Sequence, residues 1–387
     1  MRIAHLITRM IVGGAQENTL LNCEDLIRDY GDEVLLVTGP AIGPEGDLLQ
    51  QGRGGGVPMR LVPSLRRAIH PWNDVRSYFE LKRVLREFRP DVVHTHSAKA
   101  GFLGRLAASS LHVPAIVHTV HGAPFHPYQS AAARSLFRHC EQYAARRCHA
   151  LISVADAMTD LMVNAGVAPR DKFTTIYSGM DVEPFLRANE TREATRRELG
   201  FEPEHVVVGK IARLFHLKGH ADVIRAAMDL KEQLPQARFL FVGDGILKDK
   251  LQRMIDDASM HDRFRFTGLV PPSRIPALVG AMDILVHASL REGLARALPQ
   301  ALIAGKPVVS YDIDGAREVC IDRKTGFLVL PCDAKGLVQP LAKLAEDPLL
   351  RRRLGEEGRC RFTEQFRHEF MTRRIRELYE RVLQRSG

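Results

Sequence analysis

A chain of 387 residues is too long for one ordinary hydrophobic core, so two domains are expected. Its 45% hydrophobic content is that of a globular protein in water, and it has no run of 18 apolar residues, so no membrane-spanning helix is expected. The net charge of +9 fits anionic partners and equally fits solubility alone, and with no nucleic-acid motif beside it, nucleic acid ranks last among partners and none is expected.

The opening segment, MRIAHLITRMIVGGAQ, reads as a first buried strand and not as a signal peptide. The six cysteines are scattered without a C-x-x-C pair, as reduced thiols of a cytoplasmic protein would be. Residues 2–7 are the predicted strand, followed by Gly13-Gly14 and a helix over 18–28. Two glycines ahead of a helix let backbone approach a phosphate or sugar, and equally make a plain tight turn. Residues 33–38 form the second strand. The Gly- and Pro-rich stretch 39–56 is expected to be a mobile loop. Phe79, Leu81, Val84, Leu85 and Phe88 have helical spacing, which predicts a helix over 77–88. Lys82, Arg83, Arg86 and Arg89 fall on its other faces, as a solvated surface.

Residues 91–96 and 115–119 are strands that bear His94, His96 and His118. The loops after them bear Lys99 and His121. Histidines on or beside buried strands read as hydrogen-bonded structural residues. No Cys, Asp or Glu completes a zinc spacing with them, so no metal is expected. A basic helix over 130–147, a strand over 150–154 and a helix to about 165 lead to TTIYSGMD at 174–181, where the first half ends. The charged segment 187–197 carries the chain into the second half.

The second half repeats the alternation, with strands over 206–211, 238–242 and 264–267. Strands separated by helical segments predict an α/β fold with a parallel sheet in each half. Arg213 and Lys218 lie in the loop after the first of these strands, where two cations could neutralise a leaving diphosphate. Gly243 closes the next strand. Between 287 and 311 the chain reads strand end, loop, short helix, turn and strand. Pro299 suits the helix's first turn, and Gly305 suits the positive φ of a helix end. Glu292 therefore lies beyond a strand's carboxyl end, where open α/β sheets place ligands. Asp312-Ile-Asp314 has the form of a metal-binding pair, but the tripeptide is common by chance and no metal role is assigned to it.

The ordered set GG, SAKAG, HTVHG, R-x4-KG, GDG and EG-x6-Q resembles the retaining, nucleotide-sugar-dependent glycosyltransferases of family 4 over nearly the whole chain. The resemblance implies the GT-B architecture: two Rossmann-like domains whose parallel sheets face an interdomain cleft. Residues 1–182 would be the acceptor-side domain and residues 183–365 the nucleotide-sugar domain, with the last helix, 366–383, packing back on the first. It implies that His121 and Glu292 orient the donor sugar and that Arg213 and Lys218 hold its diphosphate. Gly13, Gly14, Gly243, Gly293, Leu294, Gln300 and Glu318 would line the donor, and Lys99 the acceptor side. The family signature has a second Glu where this chain has Gln300. An amide can bond a ribose diol as a carboxylate does, so the change is expected to alter donor affinity more than chemistry.

The reaction so implied is metal-independent transfer with retention, in which the departing phosphate oxygen helps deprotonate the acceptor hydroxyl. No cofactor is expected. The donor would be a UDP-sugar or GDP-sugar, and the acceptor a glycan or lipid-linked saccharide. The basic first half is compatible with an anionic membrane surface at the inner face of the cytoplasmic membrane. The alternative is a non-catalytic nucleotide-sugar or polysaccharide-binding protein on the same scaffold. An NAD(P) dehydrogenase is disfavoured, because no G-x-G-x-x-G follows the first strand.

Overall fold

A computed structural model describes residues 1–42, 48 and 55–386. The loop expected over 39–56 falls largely outside them. The chain divides into two compact units, Met1–Met180 with the terminal segment from Phe366, and Asp181–Gln365.

The first unit is built on seven strands: β1 (Arg2–Arg9), β2 (Glu33–Gly39), β3 (Met59–Leu61), β4 (Val92–His96), β5 (Ala115–Val120), β6 (Ala150–Ser153) and β7 (Phe173–Thr175). Their order is β3-β2-β1-β4-β5-β6-β7, and every pairing is parallel. Parallel strands need crossover helices, which cover both faces of the sheet. Hence β4, β5 and β6 are buried along their whole length and do not alternate apolar with polar.

The helix Pro71–Phe88 starts six residues before the expected start at residue 77. Pro71 occupies the first turn, and His70 accepts a hydrogen bond from the Asn73 N–H. Ile69, Trp72, Val75 and Phe79 are exposed there, which is why a core-facing pattern does not show.

The terminal helix His368–Ser386 packs on this unit through buried Met371, Ile375, Leu378, Tyr379 and Val382, spaced as one helical stripe. Polar contacts set its register. Thr372 Oγ1 donates to Asp25 Oδ2 at 2.8 Å, and Arg376 pairs with buried Asp32 at 3.0 Å.

The second unit holds β8 (Val206–Ile211), β9 (Ala237–Val242), β10 (Phe264–Phe266), β11 (Ile284–His287), β12 (Val308–Tyr311) and β13 (Gly326–Val329), in the order β10-β9-β8-β11-β12-β13. All pairings are again parallel. Val206, Val208, Phe239, Phe241, Ile284 and Val286 share one face and form the core under the flanking helices. Arg192 and Arg196, in the charged segment 187–197, both pair with Asp283 just ahead of β11, so that segment is part of the second unit.

Counted within its own unit, the second sheet runs 3-2-1-4-5-6, the doubly wound Rossmann order, and the first runs the same order with a seventh strand added beyond the sixth. The direction of winding reverses between β1 and β4 in the first and between β8 and β11 in the second. Such switch points open a crevice at the carboxyl ends of the strands. Strands β3 and β13 and the helix Pro348–Phe362 were not anticipated from the sequence. β3 is three exposed residues, too short to show a period.

Candidate active site

In the second unit, Arg213 and Lys218 follow β8, and Glu292 follows β11, so all three sit at the switch point. Lys218 Nζ donates to Glu292 Oε1 at 2.5 Å. Lys218 also receives strict backbone placement. Leu290 N–H donates to the Leu217 carbonyl at 2.8 Å, stitching the two loops together. Gly219 has φ +68, and a Cβ there would lie 1.8 Å from the Ala288 carbonyl oxygen, so only glycine fits.

Glu292 is held from behind. Its backbone N–H donates to Asp314 Oδ2 at 2.6 Å, and the Gly315 N–H donates to the Gly293 carbonyl at 3.1 Å. Leu217 and Asp314 both have positive φ, 65° and 45°. Non-glycine residues held there store strain, and such positions gather at functional sites. Burial pushes the Glu292 carboxyl up, but the Lys218 ammonium, with the hydrogen bond it donates, outweighs that and holds it below the usual range. Burial raises Asp314, and the charge of Glu292 adds to the rise. Asp312 is bonded by Arg317 at 2.6 and 2.9 Å. The Asp-x-Asp pair is thus engaged with protein groups.

Beneath the pair lies Lys210 of β8, fully buried, with no hydrogen-bond partner for Nζ among the described residues. Burial, then the nearby Lys218 charge, lowers it to about 7. Burial and Lys210 likewise lower His287 to about 3. Sequence reasoning missed Lys210, and only its position at the end of a β-branched strand hinted at it.

Gly243 has φ +135, and a Cβ there would meet the Ala212 carbonyl at 2.3 Å. Its loop therefore packs directly behind Arg213, and the Leu214 N–H donates to the Asp244 carbonyl at 2.9 Å. Gly293 is buried and Leu294 half-buried in the Glu292 loop, and Gln300 is half-buried on the helix Ala297–Ile303. Glu318 is half-buried at the end of the turn Asp314–Glu318.

In the first unit, Gly13 caps the helix Gly14–Tyr30, and its carbonyl accepts the Glu17 N–H at 3.0 Å. Its φ of 178° is extended backbone open to any residue, so the turn itself does not demand glycine there. Lys99 pairs with Asp74 at 2.5 Å. His94, His96 and His118 divide by face. His118 bonds Thr95 at 2.9 Å, whereas the imidazole nitrogens of His94 and His96 lie within 4.8 Å of each other and of His5 on β1. The trio that could hold a metal is therefore His5, His94 and His96, not the trio with His118. His94 is bonded by Tyr379 of the terminal helix at 2.5 Å and by Thr119 at 2.7 Å. His121 lines a cavity of about 40 Å³ with Ser97, His118 and Gly122.

Two Rossmann-like sheets, each with a switch point, have the α/β layout of the two-Rossmann, GT-B class of glycosyltransferases. Residues 13–179 match the glycosyl transferase 4-like domain, and residues 191–361 match the glycosyl transferases group 1 model. The chain belongs to the group 1 glycosyltransferases. The UDP-Gal:alpha-D-GlcNAc-diphosphoundecaprenol alpha-1,3-galactosyltransferase of Escherichia coli is 28% identical, over 90% of this chain and 89% of its own. The 2-deoxystreptamine N-acetyl-D-glucosaminyltransferase of Streptomyces fradiae is 30% identical, over 68% of this chain and 63% of its own. Among solved structures, Anabaena HepE in complex with UDP has the same fold, with a TM-score of 0.82 at 23% identity over 98% of this chain and 100% of that one.

Proposed function

We propose that the protein transfers a sugar from a UDP-sugar to a hydroxyl of a lipid-linked saccharide, with retention at the anomeric carbon and without a metal. The observation that carries this reading is the Lys218–Glu292 pair at the switch point, 2.5 Å apart, with Arg213 in the same loop. In this reading Lys218 and Arg213 face the diphosphate and Glu292 faces the donor sugar. Breaking the sugar–phosphate bond places negative charge on the phosphate, and fixed cations stabilise that charge most in the transition state. The same cations take the role that a divalent ion would fill. No carboxylate is assigned as a nucleophile opposite Glu292, so the departing phosphate oxygen takes the proton of the attacking hydroxyl on the same face.

UDP is favoured over GDP by the names of the relatives: the Escherichia coli enzyme uses UDP-Gal, and a HepE structure holds UDP-glucose. The diphosphoundecaprenol acceptor named for the Escherichia coli enzyme supports a lipid-linked acceptor here. Gly13, Gly14, Gly243, Gly293, Leu294, Gln300 and Glu318 are assigned to the donor, and Lys99 to the acceptor side.

A lipid-linked acceptor requires a membrane surface. No helix among the described residues is long and apolar enough to cross a membrane. The exposed face of the helix Pro71–Phe88 supports surface contact instead. Trp72, Val75 and Phe79 follow one another along it, with exposed Arg76 and Arg83 beside them. Apolar anchors beside cations suit an anionic interface. Because nucleotide sugars are cytosolic, the inner face of the cytoplasmic membrane is the place this reading requires.

The test is incubation with UDP- and GDP-sugars and a polyprenyl-diphosphate saccharide. Release of UDP, an α-linked product from an α-linked donor, and turnover undiminished by EDTA are expected. An inverted product or loss of turnover on chelation overturns the mechanism. Co-sedimentation with anionic but not neutral vesicles, reduced in Trp72→Ser/Phe79→Ser, tests the membrane contact.

A further inference from the structure

Imidazoles from two strands and a loop of the first unit form a connected series. Strand register puts them together: His5 of β1 lies beside His94 of β4, and His96, two residues on, shares its face. His96 lies beside Thr119 of β5, and His121 is two residues further along. His5 Nδ1 is 3.1 Å from His96 Nε2, and His96 Nδ1 is 3.1 Å from His121 Nε2. The ring planes differ by only 15° and 30°, with centroids 5.3 and 5.4 Å apart. Those separations exceed the N···N distance by about two ring radii, so the nitrogens lie on the line of centres. The contacts are therefore in-plane hydrogen bonds and not stacked faces.

The direction of the protons follows from burial. His5 and His96 are 0% and 1% exposed. Burial lowers His5 to about 3 and His96 well below its ordinary value, so each is a neutral ring with one N–H and one lone pair. Two orientations of the series are then possible. If His121 donated inward, His96 would donate to His5 Nδ1, and His5 would carry its proton on Nε2. That buried atom has no hydrogen-bond partner among the described residues. If the protons run outward, His5 donates from Nδ1, His96 donates from Nδ1 to His121 Nε2, and only a lone pair goes unused. An orphaned buried N–H is rarer and costlier than an unused acceptor.

We propose that His5 and His96 are positioning residues that hold His121 in the tautomer protonated on Nδ1, so that it meets its ligand as a hydrogen-bond donor and not as a base. A donor N–H fits the oxygen of a sugar hydroxyl. The kinetic consequence rests on the assignment of His121 to the donor sugar, but the tautomer does not.

Long-range ¹⁵N–¹H correlation spectra of the full chain labelled with ¹⁵N-histidine read the tautomers directly. His5, His96 and His121 are all expected in the Nδ1–H form, the minor one for a free imidazole in water. His121 in the Nε2–H form overturns the proposal. In kinetics, His96→Leu is expected to lower kcat about 10- to 100-fold, the range for a lost orienting partner. His96→Asn, whose amide can donate from the δ position, should recover most of it. In a His121→Ala background, His96→Leu should change kcat by less than about twofold, because the two act as a unit. An equal loss in both backgrounds would mean that His96 only supports the fold. Stoichiometric zinc retained by the purified protein and lost in His96→Leu would also overturn the proposal, since the metal would take the lone pairs. If no transfer is detected at all, the assignment of His121 to a sugar fails, and the spectra still decide the tautomer.

Discussion

The two sheets share one strand order over six strands and differ in charge at their switch points. Where β1 and β4 part, His5 and His96 are neutral rings sealed from water. Where β8 and β11 part, a lysine and a carboxylate stand 2.5 Å apart with a second cation in the same loop. The strand order decides where a site can lie, and the residues just past the strand ends decide its charge. A neutral, donor-bearing face suits sugar hydroxyls, and a charged one suits a diphosphate.

Removing the charge should have the largest effect. Lys218→Ala and Arg213→Ala are each expected to lower kcat about 10²-fold or more, the range for losing one transition-state donor, measured as UDP release. An unchanged kcat in Lys218→Ala would break the contrast between the two sheets. Next comes the loop that presents the lysine. Gly219→Ala sets a Cβ against the Ala288 carbonyl in a left-handed backbone, and a melting temperature lower by roughly 5–10 °C is expected.

Lys210 sharpens the comparison through pH. Its value falls from 10.5 to about 7 on folding, so between those pH values the unfolded chain holds a proton that the native protein does not. Stability due to this group therefore rises as pH rises from about 7 to 10.5. Lys210→Met should raise the melting temperature more at pH 6 than at pH 9, by on the order of 5 °C. An equal gain at both would mean that the buried lysine is charged throughout. The smallest effect is expected for Gln300→Glu: kcat near normal and a changed KM for the donor.

Much of the scaffold was legible. Each half's alternation of apolar runs and helical segments announced parallel sheets, and β8 and β9 fall within a residue of their expected bounds. Arg213, Lys218 and Glu292 were legible as residues in loops after strands, because such positions are set by local chain order. The partners that hold them were not. Asp314, 22 residues from Glu292, grips its backbone N–H. His5 meets His96 across 91 residues, and Tyr379 meets His94 across 285. Histidine in an apolar strand looks alike whether it faces a helix or another ring.

The sequence by itself determined the elements, their alternation and the residues exposed past each strand's end, because hydrophobic period and turn chemistry act over a few positions. Only the tertiary structure decided which of those residues meet, and hence which are charged and which neutral. Contact between distant strands depends on register, and the ionisation of a side chain depends on the neighbours and the water that register leaves around it.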